Sequence, residues 1–192
     1  MKKIMFNSKF GLEQAVLEGR KTMTRRSVSD KILNKYQDYL NWWNTQNGGF
    51  KVPEREFYLC ESPIKVNDVI AIAQAYKDVQ PYKGKPRLWF VDRYLSAGWD
   101  NKMFVKADLM PHHIKITGIT VERLQDISEE DCLKEGICKT SDACRPYYIP
   151  NTGRPTFANP REAFAALIDK VSGKGTWERN PYCFCYTFKL ID

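Results

Sequence analysis

The closing segment, Tyr182, Phe184, Tyr186, Phe188 and Leu190, alternates apolar and other positions with a strict period of two, which predicts a strand. Upstream, Phe164, Leu167, Ile168 and Val171 fall on one helical stripe opened by Asn159-Pro160 and closed by Gly173. Leu12, Ala15 and Val16 follow helical spacing from Phe10 to Glu18, with Gly19 placed to end that helix in the left-handed conformation. A longer helix is predicted after Ser29-Asp30, where Ile32, Tyr36, Tyr39, Leu40 and Trp43 share a face, with its stop at Asn47-Gly48-Gly49. Ser128 and Asp131 make a capping-box-like start for a helix of about two turns that stops at Gly136. Short apolar runs at Phe57–Cys60, Val69–Ala73, Leu88–Val91 and Met103–Ala107 read as strands. From His113 to Leu124 the apolar positions change parity, 114 and 116 and then 119 and 121, so a β-bulge at Thr117-Gly118 is expected. Strands interleaved with helices predict an α+β domain, one bent sheet or small barrel with helices at its ends.

A chain of 192 residues suits a single domain spanning 1–192. No apolar run approaches the roughly 20 residues needed to cross a bilayer, so no membrane association is expected. The opening residues lack the apolar run and cleavage site of a secretory signal, which makes the cytoplasm the expected location. The six cysteines form no Cys-x-x-Cys knuckle and the two histidines are adjacent, His112-His113, so neither a metal site nor a cofactor is expected. A net charge of +7 favours polyanionic partners, and moderately basic enzymes of small anions share that signature.

The basic residues are concentrated near the start. Gly19-Arg20-Lys21-Thr22-Met23-Thr24-Arg25-Arg26 packs four cations and two hydroxyls just past a helix end. Arg20, Lys21, Thr22, Thr24, Arg25 and Arg26 are therefore candidate contacts to a phosphate or a polar nucleobase, while a solvated basic turn is the plainer alternative. In a regular strand Lys21 and Thr24 would face opposite sides, so a joint role requires a break between them. Trp42 and Trp99 are the tryptophans expected to be free for stacking on bases, the others serving the core.

The Gly19–Arg26 element, Phe6-Asn7, the run Val121-Glu122-Arg123-Leu124-Gln125-Asp126-Ile127-Ser128-Glu129-Glu130-Asp131, Glu135-Gly136-Ile137, Trp177 and Asn180-Pro181 together resemble the phage-associated branch of the ASCH-domain family. The likeness spans roughly 1–26, 64–76, 109–137 and 160–191, leaving 27–63, 77–108 and 138–159 as insertions or variable loops. It implies a small bent PUA-like β-barrel with flanking helices and a cleft that binds RNA or a nucleotide. Some small members hydrolyse N-acetylated cytidine, and the matching catalytic residues here are Lys21, Thr24 and Glu135. In that chemistry Thr24 attacks the acyl carbonyl, neutral Lys21 takes its proton, and Glu135, at a helix carboxyl end, protonates the departing amine. The chain departs from the branch at Asn67-Asp68, at Gln74-Ala75-Tyr76 and at His112, making Gln74 and His112 further candidate ligand contacts. Three functions follow as expectations: an RNA- or nucleotide-binding module, an amidohydrolase acting on an N-acylated nucleoside, and an interaction protein of phage or mobile-element origin, with the 29–63 insertion as its protein-binding face.

Overall fold

The computed structural model describes residues 1–46, 49–79, 82–84, 97–141, 144–153 and 157–192. Its centre is a five-stranded sheet in the order β1-β3-β4-β7-β2, formed by β1 (Lys2–Ile4), β2 (Met23–Ser27), β3 (Val69–Ile72), β4 (His113–Arg123) and β7 (Tyr182–Leu190). β1 and β3 run parallel and the other neighbours are antiparallel. A small hairpin, β5 (Cys138–Lys139) with β6 (Tyr147–Tyr148), lies in the 138–159 segment that reads as loop from the sequence. The α+β class stands. No ladder joins the edge strands β1 and β2 among the described residues, so the sheet is not a closed barrel.

The bulge falls where the parity change places it. The β4–β7 register shifts between Ile116 and Gly118, which returns Val121 to the buried face already occupied by Ile114 and Ile116. Glycine suits position 118 because an added Cβ would lie 2.6 Å from the Thr187 hydroxyl. The helices expected from periodicity are α1 (Leu12–Leu17), α2 (Asp30–Asn44), α4 (Glu129–Lys134) and α5 (Pro160–Ser172). Ser128 Oγ accepts from the Asp131 amide and Asn159 Oδ1 from the Glu162 amide, so both capping expectations hold. A last short helix, α6 (Thr176–Arg179), carries Trp177, which meets Phe164 of α5 edge-on.

Two strand expectations meet other outcomes. Phe57–Cys60 lies inside the helix α3 (Glu54–Glu61), whose Phe57 and Tyr58 rings pack on Tyr36 of α2 at 5.1 and 5.5 Å. A four-residue apolar run fits either period, and here the helical neighbour decides. Met103–Ala107 is divided between the 3-10 turns Lys102–Phe104 and Ala107–Leu109, with Met103 and Phe104 exposed and only Val105 buried. Leu88–Val91 lies outside the described residues. The 27–63 insertion is integral to the fold: Tyr58 packs on Tyr182 of β7 at 5.3 Å, and Tyr36 and Tyr58 join the main core. No helix among the described residues is long and apolar enough to cross a membrane.

Candidate functional site

Gly19, at φ +72°, closes α1, and the chain then turns inward. Lys21 donates its backbone N–H to the Ala15 carbonyl, while the Thr22 backbone bridges α4 and β7, donating to Lys134 O and accepting from Phe188 N. β2 begins only at Met23. Lys21 therefore lies outside the strand alternation, which removes the conflict with Thr24. Gly136, at φ +105°, follows α4; an added Cβ there would lie 3.1 Å from Leu12 and 3.6 Å from Cδ of Lys21. The lysine side chain passes over this glycine to reach its partner.

That partner is Glu135, the residue that caps α4. Lys21 Nζ donates to Glu135 Oε2 at 2.6 Å and to the Glu135 carbonyl at 2.7 Å, and the two side chains are only 2% and 6% exposed. Glu135 Oε1 accepts from Arg25 Nη1 at 3.3 Å. Burial pushes the Lys21 ammonium below its usual range; the charge and hydrogen bond of Glu135 oppose that, and the nearby Arg26 and Arg25 reinforce it. Thr24 is buried opposite Tyr186 in the β2–β7 ladder, and among the described residues its hydroxyl has no hydrogen-bond partner.

Lys21, Thr24 and Glu135 border one cavity of about 300 Å³. Its polar side is completed by Asn7, Arg26 and Ser27, and its apolar wall comes from Leu124 and from Phe164, Leu167, Ile168 and Val171 of α5. The cavity lies at the seam between the two sheet edges, where Arg26 Nη2 of β2 donates to the Met5 carbonyl just beyond β1 at 2.6 Å. Arg26 Nε is buried and unpartnered among the described residues. A volume at the small end of the ~300–1,000 Å³ range of ligand pockets suits a compact molecule such as a nucleoside.

The other candidates separate. Arg20 is exposed, pairs with Glu18 at 2.6 Å and reaches Cys138 Sγ at 3.5 Å, on a different surface depression. Thr22 contributes backbone only to the contacts above and does not border the cavity. Arg25 reaches the cavity wall, but its guanidinium is occupied by Glu122 at 2.8 Å, Asp131 at 3.5 Å and Glu135. Gln74 and His112 do not border the cavity; the Gln74 amide donates instead to Glu13 at 2.9 Å, and the His112 carbonyl accepts from the Ile72 amide. Trp99 is not free for stacking: it is buried with Tyr76, Val105 and Met110 on the far side of β3, while Trp42 is exposed. Sequence reasoning missed Asn7 and the α5 wall as cavity residues, and Glu122 and Asp131 as counter-ions. The apolar stripe of α5 was visible, but it carried no sign that part of it faces a void. Among the described residues no group of His, Cys, Asp and Glu is arranged to hold a metal, and Cys60, Cys132, Cys138, Cys183 and Cys185 form no disulfide.

No protein-family model and no curated protein matches the sequence. Among solved structures, the crystal structure of protein EF3133 from Enterococcus faecalis V583, described under the family model DUF984, is 14% identical and aligns over 94% of this chain and 67% of its own. Its TM-score of 0.36 is too low for the likeness to carry an argument.

Proposed function

We propose that the protein is an amidohydrolase that removes the acyl group from an N-acylated nucleoside of the N-acetylcytidine type, on a PUA-like barrel left open at the seam bridged by Arg26 and Met5. One observation carries this reading: a buried Lys21–Glu135 pair and a Thr24 hydroxyl without a hydrogen-bond partner among the described residues share one nucleoside-sized cavity. The ASCH-family resemblance supplies the substrate class.

The chemistry closes on these three side chains. Moving the shared proton along the 2.6 Å hydrogen bond gives neutral Lys21 and protonated Glu135 without changing the charge of the pair. Neutral Lys21 then accepts the Thr24 proton as the oxygen attacks the acyl carbonyl, and Glu135 delivers its proton to the nitrogen as the C–N bond breaks. An acyl-threonine and a free amine result. Water attacks the ester as Glu135 takes one of its protons, the Lys21 ammonium returns a proton to the departing Thr24 oxygen, the carboxylic acid leaves, and proton transfer from Glu135 to Lys21 restores the pair. The burial that lowers the Lys21 affinity for a proton favours the first step.

Incubation with N-acetylcytidine, with cytidine and acetate followed together, is the test. Lys21→Ala, Thr24→Ala and Glu135→Gln are each expected to lower kcat by about 10²–10⁴-fold in folded protein. Equal turnover in all three, or none in the wild type, would refute hydrolysis.

A second reading, in which the cavity holds a nucleotide or an RNA end without chemistry, is favoured by Arg26, whose buried Nε has no acceptor among the described residues. It predicts that Arg26→Ala weakens binding, and that log affinity falls with log salt by about 0.7 per phosphate neutralised on single strands. Salt-independent affinity would count against it.

A further inference from the structure

Arg25 stands opposite Cys185 in the β2–β7 ladder with its side chain 1% exposed, a place where a permanent cation is costly unless its counter-charge is close. Three thiols surround it, Cys132, Cys183 and Cys185. Burial pushes Cys132 up to about 12 and Cys183 up to about 11, and raises Cys185 as well, so all three stay protonated at neutral pH and supply no anion. The counter-charge is carboxylate. Nη2 donates to Glu122 of β4 at 2.8 Å and to Asp131 of α4 at 3.5 Å, while Nη1 donates to Glu135 Oε1 at 3.3 Å.

These acids differ in their access to water. The Glu122 and Asp131 side chains are 24% and 22% exposed and neither borders the cavity, whereas Glu135 is buried and does. One edge of the guanidinium is thus anchored to two half-solvated acids, leaving Nη1 to hold one oxygen of the third. A planar fork can do this and a point charge cannot.

We infer that Arg25, tethered by Glu122 and Asp131, is a positioning residue that fixes Oε1 of Glu135 and thereby keeps Oε2 turned to Lys21. The consequence for turnover rests on the hydrolytic reading; the consequence for the Lys21–Glu135 pair does not. Lys21 is faced by Glu135, Arg25 and Arg26. Removing Arg25 takes away a like charge, which favours the ammonium form of Lys21.

The experiment uses the full chain as Arg25→Met, Arg25→Lys and Glu122→Gln, with folding confirmed by circular dichroism and cooperative melting. Two readouts are taken: titration of the Lys21 side-chain nitrogen by ¹⁵N NMR, and kcat and KM for N-acetylcytidine across pH. In Arg25→Met the Lys21 titration is expected to move up by about one unit or more, with kcat down at least about tenfold and KM nearly unchanged, the pattern of an interaction made in the transition state. Arg25→Lys restores the charge without the fork, so the titration returns towards the wild type while kcat stays low. Glu122→Gln loosens the tether outside the cavity and lowers kcat more modestly.

An unmoved Lys21 titration in folded Arg25→Met overturns the inference whatever the activity. Wild-type kcat in both Arg25→Lys and Glu122→Gln overturns it even where Arg25→Met fails to fold. A wild type without turnover removes the hydrolytic reading alone, because the NMR titration still decides whether Arg25 governs the pair.

Discussion

Glu135→Gln should destabilise the protein by an amount that depends on pH in a direction fixed by Lys21. The substitution leaves the Lys21 ammonium buried without its nearest anion, although the Glu135 backbone carbonyl at 2.7 Å still accepts a hydrogen bond. Breaking a buried ion pair costs about 3–5 kcal/mol. Lysine has an escape, since it can lose its proton. Between pH 7 and the free-lysine value near 10.4 there are about 3.4 units at about 1.4 kcal/mol each, which caps the cost at roughly 4.6 kcal/mol at pH 7. At pH 9 the same cap is about 1.9 kcal/mol. The sign follows from proton counting: folded Lys21 already titrates below its ordinary range, and losing Glu135, whose charge and hydrogen bond raise it, lowers it further. Between the variant's folded value and the higher folded value of the wild type, only the wild-type folded state still holds the proton, so across that window the variant gains stability relative to the wild type as pH rises. Urea unfolding at pH 7, 8 and 9 measures the gap; a chain of this size should also melt roughly 6–18 °C lower at pH 7. Lys21→Met is expected to cost less, about 1–3 kcal/mol, because Glu135 keeps Arg25. A Glu135→Gln deficit that stayed constant from pH 7 to pH 9 would refute the buried, charge-paired lysine.

Gly136→Ala should cost about 1–3 kcal/mol, because alanine must adopt a φ near +105° while its Cβ presses on Leu12 at 3.1 Å; urea midpoints check this, and a neutral result would mean that the turn beneath Lys21 relaxes freely. Asp169 holds the Trp177 and Gly175 amides at 2.9 and 3.0 Å, and those hydrogen bonds keep its carboxyl below the usual aspartate range. The advantage of the wild type over Asp169→Asn should therefore be present above about pH 3.9 and vanish as pH falls through the lower folded value, as read from paired acid-unfolding curves.

Local pattern reached as far as local forces decide the structure. The β7 alternation, the stripes of α1, α2 and α5, and the parity change in β4 each reflect one buried face, and each element lies where its pattern puts it. Phe57–Cys60 did not follow, because four apolar residues carry too little periodicity to choose, and the choice was made by Tyr36 across the α2–α3 contact. Trp99 looked accessible because its burial depends on Tyr76 and Met110, which come from other segments. The site divides in the same way. Lys21 and Thr24 stand out in a dense basic motif, but the partner of Lys21 is 114 residues away, and only the family resemblance pointed to Glu135. No periodicity carries that pairing.

Charge in a sequence is counted before its neutralisation is known, and residues 20–26 show the difference. Arg20 leaves the cluster for Glu18 at the surface, Lys21 is matched by Glu135, and Arg25 is enclosed by acids from β4 and α4 that lie about a hundred residues further on. Of the two arginines that border the cavity, Arg25 is held by those acids and Arg26 is bound to the Met5 carbonyl through Nη2. On the hydrolytic reading, a chamber with this apolar wall from α5 and this pairing of its charges suits a small, largely neutral molecule better than a run of phosphates. Three of the four cations in the cluster, Lys21, Arg25 and Arg26, border the cavity, where on the proposed reading the two arginines bear on the protonation and orientation of one lysine and one glutamate.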